Sequence, residues 1–256
     1  MATGEDDLDD TRAPLLEHLI ELRRRLIWSF AALGVAFLIC LYFAEPIFAF
    51  LVQPLLHAGQ GKLIYTDIFE AFFAQMKVAF FSAIMVSFPV VANQLWRFVA
   101  PGLYGKEKRA LRPFLFLTPV LFLSGAAMAY FVAMPLALHF LLGYKGDIGG
   151  VQQEALPAIG NYLSFVTKFM FGFGVAFLLP VLLMLLERTG IVTRRQLQKG
   201  RRYSYVGSFA AAAVLSPPDA LSMLLLAVPL CILYEFALVA IWFTERKRVR
   251  DDAADA

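Results

Sequence analysis

Six long apolar runs limit this chain more than any other feature, at residues 27–44, 72–92, 113–134, 162–186, 204–215 and 221–243. Most reach the ~20 residues that an α-helix needs to cross ~30 Å of hydrocarbon. None alternates apolar and polar positions as a transmembrane β-strand must. With 60% hydrophobic and only 17% charged residues, no ordinary soluble domain fits. The expected fold is an all-α membrane protein of six transmembrane helices in a single bundle.

The basic residues set the sidedness. Nineteen of the 23 Lys and Arg lie before run one, in 93–112, in 188–203 and after run six. The alternate loops hold only Lys62 and Lys145. Positive loops stay cytoplasmic, so both termini are expected inside, which an even number of spans requires. The net charge of +3 reflects topology and does not point to nucleic acid. Residues 1–13 read as a disordered acidic lead, 14–243 as the six-helix domain and 244–256 as a basic cytoplasmic tail. The lead lacks the basic start and early cleavage site of a signal peptide.

Several chemistries find no support. Cys40 and Cys231 both fall in apolar runs and suggest no disulfide. His18, His57 and His139 are far apart, without metal-ligand spacing. There is no phosphate-cradling glycine loop, so neither cofactor nor enzyme activity is expected.

Three segments carry more than a span needs. After Pro14, suited to a first helical turn, Leu15, Leu19, Leu22 and Leu26 form an apolar stripe. Glu17, Glu21 and Arg24 lie off it, as on a helix at the membrane surface or one that aims Glu21 at a cationic ligand. Residues 93–109, NQLWRFVAPGLYGKEKR, form a polar island whose Phe98, Pro101, Gly102 and Tyr104 suggest a stiff non-helical turn. Its lone acid, Glu107, is either a locally paired solvated charge or an acceptor for a guanidinium fork. Run five is only about 12 residues, ~18 Å of helix, and ends at Ser216-Pro217-Pro218-Asp219. It is a tilted packing helix or a device that thins the bilayer. Lys77 and Lys168 interrupt apolar spans and would snorkel to the outer interface. Five prolines, at 89, 119, 135, 180 and 229, would kink the spans.

The polar island closely resembles the first cytoplasmic loop of TatC, the receptor subunit of the twin-arginine protein translocase. The likeness continues through PLLEHLIELRRRL (14–26), EAFFAQMKVAFFSAIMVSFPVVANQLW (70–96), GAAMAYFVAMPLALHFL (125–141), GFGVAFLLPVLLMLLERTGIV (172–192) and RRYSYVGSFAAAAVLSPPDALSMLLLAVPLCILYE (201–235). These segments cover nearly the whole chain, in order.

The resemblance implies a curved, cupped bundle in the bacterial inner membrane, with spans five and six as a short hairpin. It implies binding of Arg-Arg signal peptides of folded proteins and assembly with the single-span partners TatA and TatB. Export would be driven by the proton-motive force, in a complex holding several copies of the chain. Glu21 and Glu107 would receive the arginines, with Arg23 and Phe98 alongside. Ser216, Asp219, Met223 and Leu178 would form a partner-helix surface. Pro54, Lys77, Gln94, Pro101 and Tyr130 match further family positions. The chain departs from the family at Leu178, where a polar or acidic residue is usual, and at Met223, where Gln is usual. The rival is a proton-coupled small-molecule transporter, but no convincing internal repeat relates 27–134 to 162–243.

Overall fold

The computed structural model describes residues 6–99, 108–143, 146–148, 151–153, 156–216 and 219–254. Helix α1 (Asp6–Tyr42) joins the stripe at 14–26 and span one in one 37-residue helix. No glycine or proline lies between Pro14 and Gly34 to break it. The helix begins at Asp6, within the acidic lead. After it come α2 (Ala44–His57), α3 (Glu70–Val99) and α4 (Lys108–Met128). A π-helical turn (Ala129–Ala133) leads into α5 (Met134–Leu142). Next are α6 (Ile159–Ala176), α7 (Leu179–Arg188), α8 (Arg194–Lys199), α9 (Arg201–Leu215) and α10 (Ala220–Ala254). A three-residue hairpin, β1 (Gly146–Ile148) with β2 (Val151–Gln153), sits between α5 and α6.

Five segments are long and apolar enough to cross a membrane: Leu19–Tyr42, Glu70–Phe98, Leu115–Leu142, Ile159–Arg188 and Ala220–Arg246. The remaining run is α9, at 15 residues the short fifth helix expected. Its partner is not short. Helix α10 has 35 residues, because no strong helix breaker follows Pro229.

The prolines act unequally. Pro89 and Pro229 lie inside uninterrupted helices. Pro135 follows the π-turn, and Pro180 sits in the first turn of α7, where its missing N–H costs little. Span four is therefore divided, with Phe177 and Leu178 at the junction.

The main core gathers Leu51 and Leu55 of α2, Val78 and Phe81 of α3, Tyr130, and the face of α6 from Ile159 to Ala176. Helices α4 and α6 approach closely. A Cβ on Gly125 would meet the Phe173 carbonyl oxygen at 2.5 Å, and one on Gly174 would meet the Phe122 ring at 2.7 Å. Phe122 itself stacks on Phe88 of α3, 3.6 Å between centroids.

The end of the bundle that carries α2 and the start of α6 is stitched by polar contacts. The Tyr130 hydroxyl donates to the Phe50 carbonyl (2.6 Å) and the Tyr162 hydroxyl to the Leu51 carbonyl (2.8 Å), fixing α2 across the bundle. Glu70 accepts from the Thr66 amide, from the Thr66 hydroxyl (2.8 Å) and from the Gly160 amide (2.6 Å). Ile64 and Ala158 form a parallel bridge between the segments that precede α3 and α6.

Candidate functional site

Helix α1 packs along α3, and their ends beside the 93–112 loop enclose two adjoining spaces. One is a polar cavity of about 500 Å³ lined by Glu21, Arg24, Arg25, Trp28, Gln94 and Arg97. The other is an apolar groove of about 270 Å³ that shares Arg25 and Gln94 and reaches Phe98. Glu21, Gln94 and Phe98, each singled out from sequence, thus converge although more than 70 residues separate the first two.

The geometry follows from local structure. Glu21, Arg25 and Trp28 are spaced four and three apart, so they share one face of α1. Glu21 accepts an ion-paired hydrogen bond from Arg25 Nη2. Arg25 is the more buried partner, with 19% of its side chain exposed against 35% for Glu21. Phe98 lies on α3 and so is not part of the expected turn, whose other residues, Pro101, Gly102 and Tyr104, lie outside the described residues. Asn93 to Arg97 carry no breaker, and α3 simply continues through them. Glu107 and Pro101 lie outside the described residues. Arg23 is exposed and lines neither space. Trp28 was missed in the sequence, and Arg24 and Arg97 stood out there only as charges; the i+3 position of Arg24 and the i+7 position of Trp28 relative to Glu21 on α1 were the available signals.

The second candidate surface is divided. Ser216 and Asp219 lie between the end of α9 and the start of α10, and Met223 sits one turn into α10 against the main core. Leu178 lies at the α6/α7 junction, and no described cavity joins it to them. Asp219 Oδ1 accepts from the Ser222 amide at 2.7 Å. Ser216 Oγ, Asp219 Oδ2 and Ser222 Oγ are buried without a hydrogen-bond partner among the described residues. Unpaired buried polar atoms are costly, so this turn is suited to a polar group brought by another molecule.

The other family-matched residues are structural in placement. Pro54 is buried within α2, and Tyr130 anchors that helix. Lys77 is exposed and donates to Ser164 Oγ (2.7 Å), a polar contact between spans two and four that snorkelling alone did not anticipate. Lys168 is exposed. His57 and His139, distant in sequence, line one cavity. Cys40 and Cys231 are free thiols, and no cluster of three or more metal-ligating side chains occurs among the described residues.

The family model of the Sec-independent protein translocase protein TatC matches residues 17–229. The chain belongs to the TatC family. It is 45% identical over 248 residues to TatC of Magnetococcus marinus, covering 96% of this chain and 90% of that protein. Against Escherichia coli TatC it is 41% identical over 230 residues, covering 89% and 87%. A crystal structure described as the twin-arginine translocase receptor TatC superposes with a TM-score of 0.75 at 39% identity, covering 87% of this chain and 96% of that one. A second TatC crystal structure, in the detergent DDM, gives 0.77 at 37% identity. Membership of the TatC family makes the chain a membrane component of a protein translocase and not an enzyme.

Proposed function

We propose that this TatC-family chain is the receptor of the twin-arginine translocase. It binds Arg-Arg signal peptides of folded proteins and nucleates assembly with TatA and TatB for export driven by the proton-motive force. The observation that carries this reading is the groove between α1 and α3, which joins a carboxylate-bearing cavity to an apolar channel. A signal peptide offers the matching pair, guanidinium groups followed by a hydrophobic segment. Glu21 already holds the Arg25 guanidinium, so an incoming arginine can exchange for it. Glu107 supplies the second carboxylate, with Phe98 and Arg23 beside the pair. Ser216, Asp219, Met223 and Leu178 receive partner helices, the unpaired atoms of the outer turn taking a polar group of a partner.

The protein is placed in the bacterial inner membrane with both termini in the cytoplasm. The domain is 14–243, preceded by the acidic lead and followed by the basic tail. Several copies act within one complex. Sidedness is checked with single cysteines at Lys62, Gly105, Gly150 and Gln198 in a Cys40→Ala/Cys231→Ala chain. Label from the periplasm should reach 62 and 150 only; reaction at 105 or 198 from that side would sink the topology.

Recognition is tested by titrating Arg-Arg and Lys-Lys signal peptides onto the purified protein. Glu107→Gln and Glu21→Gln should each weaken Arg-Arg binding by roughly 10- to 150-fold, as loss of a charge-assisted hydrogen bond of ~1.5–3 kcal/mol requires. Unchanged affinity in both variants would refute the carboxylate site.

A further inference from the structure

The cavity and groove between α1 and α3 form one amphiphilic slot whose described lining carries more positive than negative charge. Arg24, Arg25 and Arg97 face Glu21 alone, an excess of two positive charges among the described lining residues. Arg25 Nε is buried with no hydrogen-bond partner among the described residues, although its Nη2 is held by Glu21. From this cationic mouth the groove runs along α1 from Leu22 to Leu33 and is apolar apart from Arg25, Ser29 and Gln94. Eleven residues of helix at ~1.5 Å each give ~16 Å, about half of a ~30 Å hydrocarbon core. The slot therefore has the depth of one leaflet.

We propose that this slot binds one anionic phospholipid of the leaflet on the side of the 93–112 loop. Its phosphate lies among Arg24, Arg25 and Arg97, and one acyl chain follows Leu26, Phe30, Leu33 and Leu95. Guanidinium forks match phosphate oxygens in pairs. A free phosphate would leave the apolar part of the slot unused. An acyl chain gains little by leaving other lipid, because lipid tails are as apolar as leucine. Selectivity therefore rests on the headgroup, and the groove fixes where that headgroup sits. Trp28 lines the same cavity and is 59% exposed, which makes it a reporter for lipid at this position.

The test uses the full chain in vesicles of mixed phosphatidylcholine and phosphatidylglycerol, without signal peptide, so its outcome is separate from that of the receptor reading. Each lipid is brominated in turn, and quenching of Trp28 is read in a Trp96→Phe/Trp242→Phe chain. Phosphatidylglycerol should be preferred by about 30-fold, the factor expected from two net charges at the lipid surface. Arg24→Gln/Arg25→Gln/Arg97→Gln should abolish the preference. Arg195→Gln/Lys199→Gln/Arg202→Gln, which removes equal charge from another loop, should keep it. A second readout uses the chain with its native tryptophans: its mass after detergent release should include one phosphatidylglycerol, lost only in the first triple variant. Equal quenching by both lipids, no retained lipid, or equal loss in the two triple variants would overturn the proposal.

Discussion

Span one and span four belong to the same bundle but are held in opposite ways. In the most apolar stretch of span one only 11% of residues are buried within the protein, against 44% in span four. The glycines show the same contrast. Gly34 of α1 has nothing within 4 Å of an added Cβ, whereas Gly125 and Gly174, at the α4/α6 approach, would collide at 2.5 and 2.7 Å. Span four is a packed wall tied to α2 through Tyr162 and to the outer loop through Gly160. Span one lies against α3 and leaves a slot open beside it.

The largest expected effects lie within span four, where the wall meets lipid. Leu182 is 54% exposed, and Leu182→Glu should cost ~2.5–3.5 kcal/mol if it faces hydrocarbon. Leu178, half-buried at the α6/α7 junction, should tolerate Glu at much smaller cost if it faces the concave side. Membrane abundance and detergent melting of the two variants decide this, and equal loss removes Leu178 from the partner surface. Next, Gly125→Val should destabilise by about 2–3 kcal/mol through overpacking, while Gly34→Val should leave the melting temperature nearly unchanged. If both fall together, the contrast between wall and seam is wrong. Tyr162→Phe comes third, at about 1–2 kcal/mol for the lost bond to a buried carbonyl. Ser29→Ala on span one, which removes only a bond to its own helix at Arg25, should be close to neutral in the same melt. Smallest is Met223→Gln, expected to change stability by less than about 1 kcal/mol because the side chain packs against the main core from a half-buried position. A large drop in melting temperature would mean that Met223 is core.

Much of the site was legible and some was not. Glu21 stood out as a carboxylate off an apolar stripe, and Gln94 and Phe98 through the resemblance of their loop to the family. Their meeting in one slot was implied only by that resemblance. Arg24, Arg25 and Arg97 looked like topogenic charge, because a basic residue that fixes orientation and one that lines a cavity have the same one-letter code. Phe98 was grouped with Pro101 and Gly102 in a turn, but Asn93 to Val99 have no breaker and follow α3. The sixth helix is longer than the apolar run at 221–243, because the basic tail continues it without a breaker.

By itself the sequence determined what depends on position along one chain: the number and length of apolar runs, the segregation of basic residues into alternate loops, and through six ordered motifs the family. Hydrocarbon thickness and charge asymmetry act on each segment separately, so no knowledge of neighbours was needed. Tertiary structure alone decided which faces meet. It set the close approach at Gly125, joined Lys77 to Ser164, divided span four at Leu178 and placed three guanidiniums around one carboxylate. Those outcomes depend on how side chains from distant segments fill shared space, and lipid, as apolar as the spans themselves, gives the sequence little signal about which face turns inward.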